Sequence, residues 1–113
     1  MMQIETCSPE MIKIQKYIQE HYQAQISLQK LSEMVGYSPN YISTIFKKEC
    51  GINVRDYVNY VRIERAKELL ITTELFAYQI ASCTGFSDES YFSRIFKRAT
   101  GMSPNKYRNQ MIE

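Results

Sequence analysis

The sequence is poor in cysteine and histidine and has no long apolar run. Its 113 residues include three cysteines, Cys7, Cys50 and Cys83, which are far apart and odd in number. We therefore predict neither a disulfide framework nor a CxxC metal site, and expect Cys50 and Cys83 to be small buried hydrophobic residues. His21 is the only histidine, and no cysteine or acidic cluster surrounds it, so we expect a surface or packing role. The absence of a membrane-length apolar run and of a secretory signal favours a reduced, cytoplasmic protein.

Glycine and proline are also scarce, and each lies where a helix should begin or end. The three prolines all follow a serine. A Ser-Pro pair suits a helix start because serine caps the helix and proline tolerates the first turn. The four glycines follow helical patterns, where a left-handed residue can end a helix, and no strand of alternating β-branched residues occurs. We predict an all-α chain of seven helices: Pro9 to Tyr22, Ser27 to Gly36, Pro39 to Cys50, Asn53 to Ile71, Leu75 to Thr84, Asp88 to Thr100, and one starting at Pro104.

Residues 80–107 have the pattern of a short helix, a tight turn and a second helix. Gly85 is placed to end the first helix, and Ser87 is placed to cap the second, with Asp88 and Glu89 suiting its positive end. The apolar residues that follow recur with helical spacing on one face. The opposite face carries hydrogen-bonding and cationic side chains: Ser90, Ser93, Arg94 and Lys97. This pattern is typical of a helix-turn-helix whose second helix enters a DNA groove.

The same pattern occurs upstream as an internal repeat. Residues of the segment YISTIFKKECG, with the later Tyr57, match residues fifty positions further along, whereas Gly36-Tyr37-Ser38 matches Gly85-Phe86-Ser87 at forty-nine. We therefore expect one extra residue in the second turn. The aromatic residues that match between the two copies, Phe46 with Phe96 and Tyr57 with Tyr107, are expected to lie in the core. The repeat predicts two helix-turn-helix subdomains, over residues 9–52 and 73–110, joined by a long linker helix over 53–72. Residues 1–8 are expected to be a disordered or artificial N-terminal segment, and 111–113 a frayed tail.

Charge is distributed unevenly along the chain. The formal net charge of +2 is too small to argue for nucleic acid by itself. However, no acidic residue interrupts the five cations between positions 94 and 108, which are Arg94, Lys97, Arg98, Lys106 and Arg108. This basic end coincides with the second helix-turn-helix, as a phosphate-facing surface should.

Helical spacing assigns a DNA-facing side to each second helix. The candidate base-reading residues are Asn40, Ser43, Thr44, Glu89, Ser90, Ser93 and Arg94. An asparagine can pair bidentately with adenine, and an arginine with guanine, the latter worth about 1–3 kcal/mol of discrimination. Glu89 can accept from a cytosine amino group or simply favour the helix end. The candidate phosphate contacts are Ser38, Tyr41, Lys47, Lys48, Tyr91, Lys97 and Arg98; for both tyrosines, packing is the competing interpretation.

Three segments resemble a known family. These are GFSDESYFSRIFKRATGMSPNKYR, ISLQKLSEMVGYSPNYISTIFKKECGINVRDYV and the joining VRIERAKELLITT. They are similar to the C-terminal DNA-binding domain of AraC/XylS transcription regulators, and most resemble the output domains of YesN-type response regulators. The resemblance implies base contacts at Asn40, Ser43 and Thr44 and at Glu89, Ser90 and Arg94. Ser43 and Thr44 are smaller than the side chains of some relatives, so the first unit is expected to read fewer bases or to read through water.

The resemblance also implies a function and partners. We expect sequence-specific binding of double-stranded DNA and regulation of transcription, more often activation, with RNA polymerase as a candidate partner. A sensor or receiver domain would lie outside this chain, which we expect to be monomeric. A joining helix of about 27 Å compares with about 34 Å for one turn of DNA, so the two units could recognise an asymmetric bipartite site, with DNA bending as a further conjecture.

Two other classes of function compete with DNA binding. One is a helical protein-interaction module, which would show no salt-sensitive affinity for duplex DNA. The other is catalysis, because related helix-turn-helix units are attached to some DNA-repair enzymes. The sequence has no nucleophile–base pair, zinc-ligand cluster or phosphate-binding loop, so we expect no enzymatic activity, metal or cofactor.

Overall fold

The computed structural model describes residues 7–112 and contains seven α-helices, as predicted. They are α1 Pro9–His21, α2 Leu28–Val35, α3 Pro39–Cys50, α4 Val54–Thr72, α5 Ala77–Cys83, α6 Glu89–Thr100 and α7 Pro104–Met111. Residues 7–112 include no β-strand, so the all-α prediction is confirmed. The predicted N-terminal segment lies outside the described residues except for Cys7 and Ser8, and of the predicted tail only Glu113 lies outside.

Side-chain capping begins most of the helices. The hydroxyls of Ser8, Ser27, Ser38 and Ser103 each accept a hydrogen bond from the third residue after them, which starts α1, α2, α3 and α7. Asn53 caps α4 in the same way, with its Oδ1 accepting from the Asp56 N–H at 2.8 Å. These caps satisfy N–H groups that have no partner within the helix. The predicted starts at the Ser-Pro pairs and at Asn53 are therefore confirmed.

Two predicted helix starts differ from the structure. Helix α6 is capped by Asp88, whose Oδ1 accepts from the Tyr91 N–H at 2.7 Å, and not by Ser87. The extra residue of the second turn is the reason, because Asp88 lies fifty positions after Ser38, the residue that caps α3. Helix α5 begins at Ala77 instead of Leu75, and the Phe76 N–H donates to Gln79 Oε1 at 2.8 Å.

The described chain forms two compact units, with the boundary between Val58 and Asn59, inside α4. The core of the first unit is built from fully buried side chains of α1, α2 and α3 together with the start of α4: Met11, Ile14, Ile18, Leu31, Ile42, Phe46 and Tyr57. The Phe46 and Tyr57 rings meet edge to face, with centroids 5.7 Å apart. The Tyr57 hydroxyl accepts a hydrogen bond from Gln19 Nε2 at 2.7 Å, so this buried phenol has a polar partner.

Ser8 and Cys7 belong to this first unit, although the sequence assigned them to the N-terminal segment. The Ser8 N–H donates to Glu49 Oε1 at 2.7 Å. Cys7 is buried, with its Sγ 3.5 Å from Cys50 Sγ, and Gln15 Nε2 lies 3.0 Å from Cys50 Sγ. Burial, together with the neighbouring Cys7 thiol, raises the pKa of Cys50 to about 12.

Cysteine burial was therefore predicted correctly for Cys50 and incorrectly for Cys83. Cys83 is exposed because it is the last residue of α5, two positions before Gly85 turns the chain. The neighbouring Thr84 is buried instead, and its hydroxyl donates to Ile80 O at 2.7 Å. Thr84 thus satisfies its polar atom within the helix end.

Aromatic rings dominate the core of the second unit. The cluster contains Ile63, Ala66, Leu70, Ile80, Ala81, Phe86, Phe92 and Phe96. Phe92 and Phe96 pack with centroids 5.7 Å apart, and Tyr107 of α7 packs edge-on against Phe96 at 5.3 Å. The sequence prediction that Phe46, Phe96 and Tyr57 are core aromatics is confirmed, and Tyr107 is half-buried against the same core.

Arg108 of α7 points inward instead of joining a phosphate-facing surface. Its Nε donates to Leu70 O at 2.8 Å, and its Nη2 donates to Thr73 O at 3.1 Å and to Leu75 O at 2.7 Å. One guanidinium thereby satisfies carbonyls from the end of α4 and from the segment leading to α5. Arg108 consequently has to be removed from the basic surface expected from the sequence.

Candidate nucleic-acid interface

The first candidate reading helix is α3, which follows α2 after a short turn. Gly36 has φ +80°, a left-handed conformation that closes α2, and its N–H donates to Ser32 O at 2.9 Å. Ser38 then starts α3, with its Oγ accepting from the Tyr41 N–H at 3.1 Å. Glycine closure followed two residues later by a serine cap gives the tight turn that a helix-turn-helix requires.

One face of α3 is polar and unoccupied. Asn40, Ser43, Thr44 and Lys47 are all exposed, and their spacing places them on the same side of the helix. None of these four side chains has a hydrogen bond or ion pair within residues 7–112. The opposite side of α3 buries Ile42, Phe46 and Cys50 in the first unit. The helix therefore presents amide, hydroxyl and ammonium groups to the solvent while its apolar side anchors it.

The remaining predicted contacts of the first unit have mixed roles. The Ser38 oxygen serves as the helix cap, which leaves its hydrogen free to donate. Tyr41 is 49% exposed and packs edge-on against Tyr37, with ring centroids 4.9 Å apart. Lys48 is exposed, one residue after Lys47, and both lie in the last turn of α3, where cations also favour the helix dipole. Surface packing and phosphate contact thus remain compatible for Tyr41.

The second candidate reading helix is α6, which follows α5 after a turn that is one residue longer. Gly85 has φ +98°, and the Phe86 N–H donates to Ala81 O at 3.0 Å, which closes α5. Phe86 then enters the core, and Asp88 caps α6. The turn therefore anchors itself through a buried ring before the exposed face of α6 begins.

The exposed face of α6 occupies the same positions as that of α3. Ser90, Ser93, Arg94 and Lys97 lie fifty residues after Asn40, Ser43, Thr44 and Lys47. Ser90, Arg94 and Lys97 are exposed, together with Glu89 and Arg98, whereas Ser93 is half-buried. Glu89 lies in the first turn of α6 and forms no ion pair within the described chain, so it favours the positive helix end and stays accessible.

Arg94 rests on an aromatic ring of its own helix. Its Cζ lies 5.5 Å from the centroid of the Tyr91 ring, within the range of a cation–π contact. Tyr91 itself is half-buried and packs against the second core, with its ring 5.9 Å from that of Phe86. The Tyr91 hydroxyl accepts a hydrogen bond from Asn59 Nδ2 at 3.0 Å. For Tyr91, the structure therefore favours the packing interpretation for the ring.

Sequence reasoning missed two residues beside this site. Asn59, on α4, was not singled out, although it is the hydrogen-bond partner of Tyr91. Arg62, also on α4, is half-buried with its Cζ 5.7 Å from the Phe86 centroid, and burial lowers its pKa. Ion pairs on α4 join Arg65 to Glu68 and Lys67 to Glu64. No sequence spacing pairs α4 with α6, so only the structure could reveal these contacts.

The other features of the described chain concern metals and membranes. Within residues 7–112, no three His, Cys, Asp or Glu side chains are grouped so that they could bind a metal ion. Among the helices of the same range, none combines the length and the apolar character needed to cross a bilayer.

Comparisons with known proteins agree with this geometry. A family model described as "Helix-turn-helix domain" matches residues 31–110. The chain is 37% identical to YijO, an HTH-type transcriptional regulator of Escherichia coli, over 97 residues that make up 86% of the chain. The chain spans 34% of the length of YijO, 32% of YisR from Bacillus subtilis and 39% of LumQ from Photobacterium leiognathi, which is about a third of each relative.

Two solved structures are similar to the fold. The C-terminal domain of AraT, a response regulator from Geobacillus stearothermophilus, has a TM-score of 0.87 and 37% identity, covering 94% of this chain and 88% of that one. The C-terminal domain of the two-component response regulator yesN from Fusobacterium nucleatum has a TM-score of 0.82 and 43% identity, covering 89% of this chain and 99% of that one. The resemblance to YesN-type output domains that the sequence motifs indicated is therefore confirmed.

Proposed function

Because the chain belongs to the AraC-type helix-turn-helix family of transcriptional regulators, we propose that it binds a specific double-stranded DNA sequence through α3 and α6. This family consists of DNA-binding domains and is not normally enzymatic. In the proposal, Asn40, Ser43 and Thr44 of α3 and Glu89, Ser90, Ser93 and Arg94 of α6 face base edges. The flanking Ser38, Tyr41, Lys47, Lys48, Lys97 and Arg98 face phosphates, whereas Tyr91, predicted from sequence as a phosphate contact or a packing residue, packs beneath Arg94 with its hydroxyl held by Asn59.

The observation that carries this proposal is the repetition of one exposed polar face on two helices. Donors and acceptors occur at equivalent positions of α3 and α6, and on α3 the four side chains have no intramolecular partner among the described residues. Side chains without such partners lose no internal hydrogen bonds when they meet DNA. A protein-interaction surface would instead be expected to have an apolar centre, which neither face has.

The wider context of the proposal comes from the relatives. We propose that the chain is the output part of a larger regulator, with a sensor or receiver domain elsewhere, and that it recognises an asymmetric bipartite promoter site. Two relatives that are response regulators favour a two-component system. Activation of transcription, with RNA polymerase as a partner, and a monomeric state for this chain complete the proposal.

The experiment that tests it begins with a pool of random DNA duplexes. The chain is incubated with the pool at moderate salt, and the bound DNA is sequenced. Two preferred blocks about 10 base pairs apart would support reading by both helices, whereas one block would assign base reading to one unit. Absence of enrichment, together with absence of binding at low salt, would refute DNA binding and favour the protein-interaction module.

Two substitutions then separate base reading from phosphate contact. Arg94→Ala should reduce discrimination at one base pair by about 5- to 150-fold, corresponding to the loss of about 1–3 kcal/mol from a bidentate arginine–guanine contact. Lys97→Ala should weaken binding to all duplexes alike and lower the slope of log affinity against log salt by about 1. Lys16→Ala, an exposed lysine on α1, is the control and should change neither quantity. If Arg94→Ala left sequence preference unchanged, α6 would be wrongly assigned as a reading helix.

A further inference from the structure

Three side chains of the second unit form a continuous chain of contacts from α4 to the exposed face of α6. Asn59 Nδ2 donates to the Tyr91 hydroxyl at 3.0 Å. The Tyr91 ring lies beneath Arg94, whose Cζ is 5.5 Å from the ring centroid. Asn59 and Tyr91 are half-buried, whereas Arg94 is exposed. The contacts thus run from the interior of the unit to the residue that is proposed to read a base.

Tyr91 is held at both ends. Its backbone N–H donates to Asp88 Oδ1 at 2.7 Å, which fixes the first turn of α6. Its ring packs against the core beside Phe86, at a centroid distance of 5.9 Å. The hydrogen bond from Asn59 fixes the hydroxyl at the far end of the ring. Because a tyrosine has two side-chain torsions, these contacts leave its ring little freedom to rotate or tilt.

A fixed ring restricts the arginine above it. Arg94 has a long, flexible side chain, and ordering such a side chain on binding opposes the gain from its hydrogen bonds. A guanidinium that already rests on a ring loses less conformational freedom when it meets a guanine edge. We call the contacts from Asn59 through the Tyr91 ring to Arg94 the tether. Loss of the tether would weaken the interaction of Arg94 with the correct base more than its interaction with phosphates, because phosphates accept many arginine conformations.

The first unit lacks this arrangement. Fifty residues earlier, the positions of Tyr91 and Arg94 are occupied by Tyr41 and Thr44. Tyr41 is 49% exposed and contacts the surface ring of Tyr37, and a threonine cannot lie across the tyrosine ring as an arginine does. The tether is therefore a feature of the second unit and not of the repeated fold.

We propose that Asn59 is a positioning residue for base recognition, which holds the Tyr91 ring and thereby orients the Arg94 guanidinium towards a guanine. The inference rests on the proposed function, because it requires Arg94 to read a base. Asn59 touches no DNA in this proposal; it acts on specificity through Tyr91.

The test compares Asn59→Ala and Tyr91→Phe with the unaltered chain. Affinities are measured, at one salt concentration, for the duplex selected from the random pool and for the duplex in which the base pair read by Arg94 is replaced. Each substitution should lower the ratio of the two affinities about threefold to tenfold, equivalent to about 0.7–1.4 kcal/mol, the scale of a cation–π contact at an exposed site. Affinity for the replaced duplex and the salt dependence should stay unchanged.

Combined substitutions and a control make the test decisive. Asn59→Ala with Tyr91→Phe should be no worse than either change alone, and Asn59→Ala added to Arg94→Ala should cause no further loss of discrimination. Asn109→Ala, which removes an exposed amide on α7, is the matched control and should leave the ratio unchanged.

Each contrary result has a separate meaning. A loss of discrimination in Arg94→Ala, but in neither Asn59→Ala nor Tyr91→Phe, would overturn the inference alone. Equal weakening of both duplexes by Asn59→Ala and by Tyr91→Phe would show a merely structural role and would also overturn it. Unchanged preference in Arg94→Ala would overturn the assignment of α6 itself, and the inference with it.

Discussion

Arg108 should stabilise the second unit without contributing to DNA affinity, contrary to what its place in a basic stretch suggests. Its guanidinium donates to the carbonyls of Leu70, Thr73 and Leu75 at 2.7–3.1 Å. Leu70 lies in the last turn of α4, where carbonyls lack helical partners and carry the negative end of the helix dipole. Arg108→Ala would leave these three acceptors without that donor.

The size of the effect follows from the type and burial of these bonds. A hydrogen bond to a charged group contributes about 1.5–3 kcal/mol when it is well buried. Arg108 is half-buried, so water can replace part of what the guanidinium supplies. We therefore expect Arg108→Ala to lower the free energy of unfolding by about 2–4 kcal/mol. Arg108→Lys, which keeps the charge but not the planar fork, should recover about half of that loss.

Urea unfolding followed by far-ultraviolet circular dichroism measures this directly, because the chain is helical and has no tryptophan for fluorescence. Arg98→Ala is the matched control, since Arg98 is exposed and forms no ion pair in the described chain. The control should change stability by less than about 0.5 kcal/mol. It should reduce the salt dependence of DNA binding if Arg98 contacts phosphate, whereas Arg108→Ala should leave the salt slope unchanged.

Two outcomes would refute this reasoning. If Arg108→Ala and Arg98→Ala had the same small effect on the urea midpoint, the three carbonyl contacts would not be stabilising. If Arg108→Ala lowered the salt slope by about 1 while stability stayed unchanged, Arg108 would be a phosphate contact after all. Both quantities are measured on the same preparations, so the two interpretations separate cleanly.

Two further predictions concern helix capping and the buried thiol. Asp88→Ala should lower the free energy of unfolding by about 1 kcal/mol, because it removes the cap of α6. Ser87→Ala, the control, should leave it almost unchanged. Equal losses of stability in urea unfolding would contradict the assignment of Asp88 as the cap. Burial, with the Cys7 thiol beside it, raises the pKa of Cys50 from 9.0 to about 12, so its contribution to stability is complete below about pH 9 and is lost as pH rises towards 12. Between these pH values the free energy of unfolding should fall by up to about 1.4 kcal/mol per pH unit. Cys50→Ala should flatten that fall, whereas Cys83→Ala, at an exposed site, should not. If both variants kept the slope of the unaltered chain, the fall would come from other groups.

Local signals made most of the fold predictable from sequence. Serine caps, proline in the first helical turn and glycine closures each act over three or four residues, so the starts at Pro9, Pro39 and Pro104 could be derived directly. The apolar positions repeat with helical spacing, which identified Phe46 and Phe96 as core residues. The exposed faces of α3 and α6 followed from the same spacing, because a residue opposite a buried stripe must face solvent.

Contacts between distant segments were not predictable in this way. Arg108 lies 38 residues after Leu70, and Tyr91 lies 32 residues after Asn59. For each of these side chains, the sequence is as consistent with a surface role as with the internal contact that the structure shows. Arg108, for example, lies among other cations in the sequence and so resembles a phosphate ligand. The choice between the two roles depends on tertiary packing, which periodicity does not contain. The prediction that Cys83 is buried was wrong for a related reason: Cys83 lies where α5 ends, so the apolar spacing of the helix no longer applies.

The repeat also explains why the two helices that we propose as reading helices, α3 and α6, should differ in what they recognise. Positions that keep the same character fifty residues apart mostly build the fold, as Phe46 and Phe96 do in the two cores. The strongest divergence between the exposed faces is Thr44 against Arg94. A threonine can touch a thymine methyl or form a single hydrogen bond, whereas an arginine favours guanine through two bonds. One chain with two copies of one fold is therefore expected to read an asymmetric site, and exchanging the two residues (Thr44→Arg with Arg94→Thr) should change the preferred sequence of both blocks.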